Sequence, residues 1–100
     1  MDIDSLLKLV GTNRDSAMLR LTLARLLAEQ GDPTQAEFHL EAATSMDSSY
    51  TAAWKELGKL RKQNDDIEGA AAAWRQGIEV ARARGDKQAE KEMAVFLKRL

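Results

Sequence analysis

Sliding the chain by 34 residues lays residues 17–50 over residues 51–84. A repeat of that period constrains the fold more than composition can, because each unit must bury its apolar face against the next one. Identities are few: Leu23 meets Leu57, Leu26 meets Leu60, Asp32 meets Asp66 and Ala36 meets Ala70. Matches in character say more. Small Ala24 falls on Gly58, Ala43 falls on Gly77, and bulky Leu40 falls on Trp74. The chain-breaking Gln30, Gly31 and Asp32 fall on Asn64, Asp65 and Asp66. Each half therefore reads as helix, short turn, helix.

Local signals place the boundaries. Leu19, Leu23, Leu26 and Leu27 recur at helical spacing, which predicts a helix over residues 15–30 ended by Gly31 in the left-handed conformation. Asp32, Pro33 and Gln35 then form the start signature of a second helix that stops near residues 46–49. A third helix is expected over residues 50–63. The fourth carries Ala70, Trp74, Ile78 and Ala81 and stops at Gly85, and Asp86 caps a last helix with Ala89, Met93, Phe96, Leu97 and Leu100 on one face. A short leading helix is expected over residues 4–10, and no strand pattern competes.

Composition removes several functional classes. A net charge of −1 gives no global field for a nucleic acid, whose binding rests on clustered Lys and Arg. The absence of cysteine excludes a disulfide framework, a thiolate zinc site and a cysteine nucleophile. No apolar stretch approaches the ~20 residues of a membrane span. The acidic start, with Lys8 breaking its apolar run, lacks the pattern of an export signal, so a cytoplasmic protein is expected.

These residues resemble the tetratricopeptide repeat (TPR) family, and the whole chain is similar to small bacterial TPR proteins. The family pattern is W-x2-L-G-x2-Y, then A-x3-F, then P. The second repeat supplies Trp54, Leu57, Gly58, Ala70 and Trp74 at the matching spacings, and the first supplies Leu23, Ala24, Leu27, Ala36 and Leu40. Arg61 stands where tyrosine is usual, and Ser48 and Arg82 stand where the closing proline is usual. The resemblance implies an all-α solenoid of antiparallel helix hairpins. Its single domain would comprise a leading helix (1–14), two repeats (17–50 and 51–84) and a capping helix (86–100).

Catalysis has little support. His39 is the only histidine, between Phe38 and Leu40, with no nucleophile and orienting carboxylate converging on it, and it reads as an exposed outer-helix residue. Asp65 and Asp66 read as helix-capping residues, because a calcium loop needs more oxygens at fixed spacing. No metal site or cofactor is expected, and the chain reads as non-enzymatic.

The resemblance implies a concave groove lined by the first helix of each repeat. The candidate groove residues are Met18, Leu21, Arg25, Lys55, Lys59 and Lys62, joined by Lys87 and Lys91 from the last helix. Lys55, Lys59 and Lys62 follow i, i+4, i+7 spacing and form one stripe, separate from the packing face of Trp54, Leu57 and Gly58. Met18 and Leu21 are expected to add an apolar patch at one end. The groove that holds acidic chaperone tails in some family members is not matched, since Leu21, Arg25 and Glu56 stand where lysine and two asparagines belong. The expected partner is a protein or peptide segment with acidic character, without nucleic acid or membrane. Self-association through the terminal helices is the alternative.

Overall fold

The computed structural model describes residues 2–100. Six helices follow in order: α1 (Ile3–Leu7), α2 (Ala17–Glu29), α3 (Pro33–Met46), α4 (Thr51–Gln63), α5 (Ile67–Arg84) and α6 (Lys87–Lys98). Side chains select where they begin. Asp2, Ser16, Asp32, Asp66 and Asp86 each accept a bond from the backbone N–H three residues on, at 2.7, 3.0, 3.1, 2.9 and 3.1 Å. Each bond satisfies a donor that the first helical turn leaves unpaired. Tyr50 begins α4 without such a bond.

The helix exits repeat as faithfully as the starts. The N–H of Asp32 reaches the carbonyl of Leu27 at 2.9 Å, that of Asp66 reaches Arg61 at 2.8 Å, and that of Asp86 reaches Ala81 at 2.8 Å. All three are the six-to-one bond of a Schellman ending, whose turn needs a left-handed residue. Gly31 and Gly85 provide it with φ of 81° and 73°. Asp65, at the position equivalent to Gly31, takes the same turn with φ 62°, a conformation that aspartate tolerates better than most residues.

Two sequence boundaries shift. The leading helix ends at Leu7, because Leu9 and Val10 bond to carbonyls three residues back at 3.0 and 3.2 Å, which tightens the turn. The α2 helix starts at Ala17, because Ser16 is extended (φ −162°, ψ 163°) and serves as its cap, which leaves Asp15 outside the helix.

Antiparallel neighbours pack in chain order, α2 on α3, α3 on α4, α4 on α5 and α5 on α6, while α1 lies on α2. Small residues set the spacing. Ala24, Ala36, Ala43 and Ala70 are buried at the helix contacts. A Cβ on Gly58 would strike the indole of Trp74, and one on Gly77 would lie 2.5 Å from the sulfur of Met93. Close backbone approach on one side leaves room for a large ring on the other. One buried cluster joins Leu6, Leu21, Leu23, Leu27, Leu40, Leu57 and Leu60. A second joins Trp74, Ala81, Ala89 and Met93, with Phe96 packed against it. On α6, Met93 is fully buried and Phe96 and Leu97 are half-buried, while the terminal Leu100 is exposed.

His39 departs from its expected place. It is 3% exposed and not on the solvent side of α3. Its Nδ1 lies 3.2 Å from a guanidinium nitrogen of Arg20, and Arg20 is held by Asp15 through bonds of 2.9 and 2.8 Å. Asp15 also accepts from the N–H of Gly11 at 2.9 Å. Arginine can only donate, so Nδ1 is the acceptor and the imidazole is neutral with its proton on Nε2. Burial, followed by the Arg20 charge, lowers the pKa of His39, whereas Arg20 holds Asp15 far below the usual carboxylate range.

A pH dependence follows from those two directions. The folded state binds the His39 proton less well than the unfolded chain, so this stabilisation is full above the unfolded pKa of ~6.5 and is lost as pH falls below it. The Asp15 contribution persists there and is lost only as pH falls below the ordinary carboxylate value of ~3.9. Thermal melts from pH 8 to pH 5 should therefore show a falling Tm, and His39→Gln should flatten that fall. Parallel profiles for the two proteins would remove His39 as its source.

Candidate binding face

The three helices α2, α4 and α6 share one face of the molecule, and two ion pairs tie them across it. Arg25 on α2 lies 3.4 Å from Glu56 on α4, and Lys55 on α4 lies 3.7 Å from Glu92 on α6. The outer helices are tied separately. Arg61, in the position where a tyrosine is usual, reaches Glu37 at 3.3 Å and Glu41 at 3.0 Å on α3 and donates to the carbonyl of Gly69 on α5 at 3.2 Å. A planar fork with five donors can do this where a tyrosine hydroxyl could not.

Two clefts lie along the α2–α4–α6 face. The first, of about 300 Å³, opens between α2 and α4, with Ala24, Ala28 and Leu40 as its apolar wall and Arg25, Glu29, Glu56 and Lys59 around it. The second, of about 320 Å³, opens between α4 and α6, lined by Lys59, Lys62, Gln63, Trp74 and Phe96. Lys59 borders both. Its ammonium sits 5.5 Å from the centroid of the Phe96 ring, a cation–π arrangement.

The eight residues proposed from sequence separate into five groups. Lys59 and Lys62 lie together at the α4–α6 cleft. Arg25 and Lys55 are on the same face, but each faces a carboxylate of a neighbouring helix. Leu21 is 3% exposed in the same buried cluster as Leu6, so it offers no apolar patch to a partner. Met18 is 69% exposed but lies apart from the lysines, in an opening shared with Met46, Tyr50 and Arg84.

Lys87 and Lys91 form the fifth group and line neither cleft. Both are exposed, yet at roughly 100° per residue they lie 100–180° around α6 from Glu92 and Phe96, the residues that meet α4. Phe96 reads from sequence as a packing residue, although its α6 position places part of its ring at the second cleft, with the buried Trp74 beneath it. The spacing that puts Glu92 and Phe96 on one face of α6 was the available signal.

Comparison with known proteins agrees with this architecture. The tetratricopeptide repeat profile matches residues 17–60. A TPR repeat-containing protein of Pseudomonas aeruginosa is 44% identical over 100 residues, covering all of this chain and 95% of its own. This chain belongs to the tetratricopeptide repeat family. A protein of Bordetella parapertussis solved in solution is 38% identical, with a TM-score of 0.81 over 99% of this chain and 86% of its own. A TPR domain protein of Salinibacter ruber, also solved in solution, is 25% identical with a TM-score of 0.82, over 87% of this chain and 88% of its own. The fold is thus a TPR-like helical solenoid, and the family points to a protein–protein interaction module. Among the described residues, no group of three His, Asp or Glu is arranged to hold a metal ion, and no helix is long and apolar enough to cross a membrane.

Proposed function

We propose that this chain is a non-catalytic interaction module, two repeat units with flanking helices, that holds a segment of another protein against the α2–α4–α6 face. The observation that carries this reading is the pair of clefts that open side by side and share Lys59. Neighbouring clefts with apolar walls and polar rims suit successive side chains of one bound segment. The buried clusters beneath α2, α4 and α6 hold the three helices in place, with Arg25–Glu56 and Lys55–Glu92 adding little at their exposure, and a face held by packing carries a low ordering cost on binding.

Photo-crosslinking tests the face directly. A photoreactive phenylalanine at Ala28 or Gln63 should give adducts with partner protein in cells, and one at Ala72 on α5 should give none. Adducts from Ala72 alone would move binding to the other side of the molecule. The alternative, self-association, draws support from exposed Leu7 at one end of the stack and Val95 and Leu100 at the other. A concentration-independent monomer in sedimentation would remove it.

A further inference from the structure

We infer that the α4–α6 cleft is the anchoring subsite for an acidic segment carrying one large apolar side chain, an inference that rests on the binding face proposed above. The argument is one of charge left over. Of the groove cations, Arg25 is matched by Glu56 and Lys55 by Glu92. Among the described residues, Lys59 and Lys62 have no carboxylate within ion-pair distance. They stand one helical turn apart on α4 and both line the same cleft.

Below them the cleft is aromatic. The rings of Trp74 and Phe96 pack at 5.3 Å between centroids, tilted by 43°, and Phe96 keeps part of its surface uncovered. The Lys59 ammonium over that ring fixes a cation at the border of the apolar floor. A leucine- or phenylalanine-sized side chain set against the uncovered part of Phe96, beside the Lys59 ammonium, would bring carboxylates one or two residues away to Lys59 and Lys62. The α2–α4 cleft offers no such surplus, because Glu29 and Glu56 offset Arg25 and Lys59 around it.

The probe is an acetylated and amidated eight-residue peptide with one leucine flanked on each side by two glutamates and completed with glycine and serine. It is titrated into the full ¹⁵N-labelled chain. Trp74 reports through its indole N–H, which donates to the carbonyl of Lys55 at 3.2 Å. The expected result is progressive shifts at that indole and at the amides of Lys59, Lys62 and Phe96. Binding should weaken at least tenfold for Lys59→Glu/Lys62→Glu, for a peptide with serine in place of leucine, and in 0.5 M salt. Both lysines are exposed, so an unchanged melting curve should accompany the charge reversal, and Lys59→Gln/Lys62→Gln gives a milder second variant. Shifts confined to Arg25, Ala28 and Glu29 would overturn this subsite and leave the binding face standing. No shift at millimolar peptide, or equal binding of a peptide with lysines in place of its glutamates, would overturn the partner chemistry. The binding face itself would then be decided by the crosslinking comparison.

Discussion

Trp74→Ala should cost the fold ~3–5 kcal/mol, the range for truncating a large buried aromatic. Against a total of ~5–15 kcal/mol for a domain of this kind, that is a large share of the stability. The indole is 1% exposed and fills the space opposite Gly58, where even a Cβ would collide with it. It also packs on Phe96 and donates to the carbonyl of Lys55. Its loss therefore leaves a cavity at the meeting point of α4, α5 and α6, and glycine on the facing helix has no side chain to move into it. At an m-value of ~1.5 kcal/mol per M, urea denaturation should show the midpoint falling by about 2–3 M. Trp74→Phe keeps a ring and should lose less than half as much. A loss below 1 kcal/mol for Trp74→Ala would mean the helices close over the gap, and the rigid register of Gly58 against Trp74 would be wrong.

That register was legible in the sequence because it rests on side-chain size at a fixed offset. Pairing Ala24 with Gly58 and Leu40 with Trp74 identifies close contacts and gap-fillers without knowledge of any partner. Helix starts were legible for a similar reason, since Asp32, Asp66 and Asp86 act on backbone groups three residues away. Contacts made across the fold were not. His39 is buried by Arg20 and Asp15, from the start of α2 and the loop before it, and helical periodicity on α3 contains no trace of them. Leu21 has groove spacing on α2, yet it is buried in a cluster to which Leu6 of α1, Leu40 of α3 and Leu57 of α4 all contribute. Periodicity gives the faces of a helix. Which neighbour covers each face depends on the chain outside it.

The same limit explains the groove charges. The i, i+4, i+7 spacing of Lys55, Lys59 and Lys62 is correct as a stripe on α4. Whether a stripe is free depends on what stands opposite, and Glu92 arrives opposite Lys55 only because α6 folds along α4. The final helix therefore determines both the packing and the charge of the face.

Ending the chain after Gly85 should, for that reason, abolish cooperative folding and not merely trim the surface. Met93 is fully buried, and Phe96 is packed against the Trp74 cluster. Fully burying a methionine or phenylalanine contributes ~1.5–3 kcal/mol, so Met93 and the half-buried Phe96 together account for up to ~6 kcal/mol, a large share of a ~5–15 kcal/mol total. Without α6 the solenoid also ends on bare Trp74, Ile78 and Ala81, an apolar surface that a repeat stack must cover. The truncated chain is expected to aggregate, or to bind hydrophobic dye while melting without a cooperative transition. Met93→Ala in the full chain should lose ~2–5 kcal/mol while retaining a sharp transition, because α6 still lies in place. A truncated protein that is soluble, monomeric and cooperative would show that the α2–α5 helices bury enough apolar surface among themselves. In that case α6 would be present for the face it completes with Glu92 and Phe96, and the α4–α6 cleft would be its reason for being there.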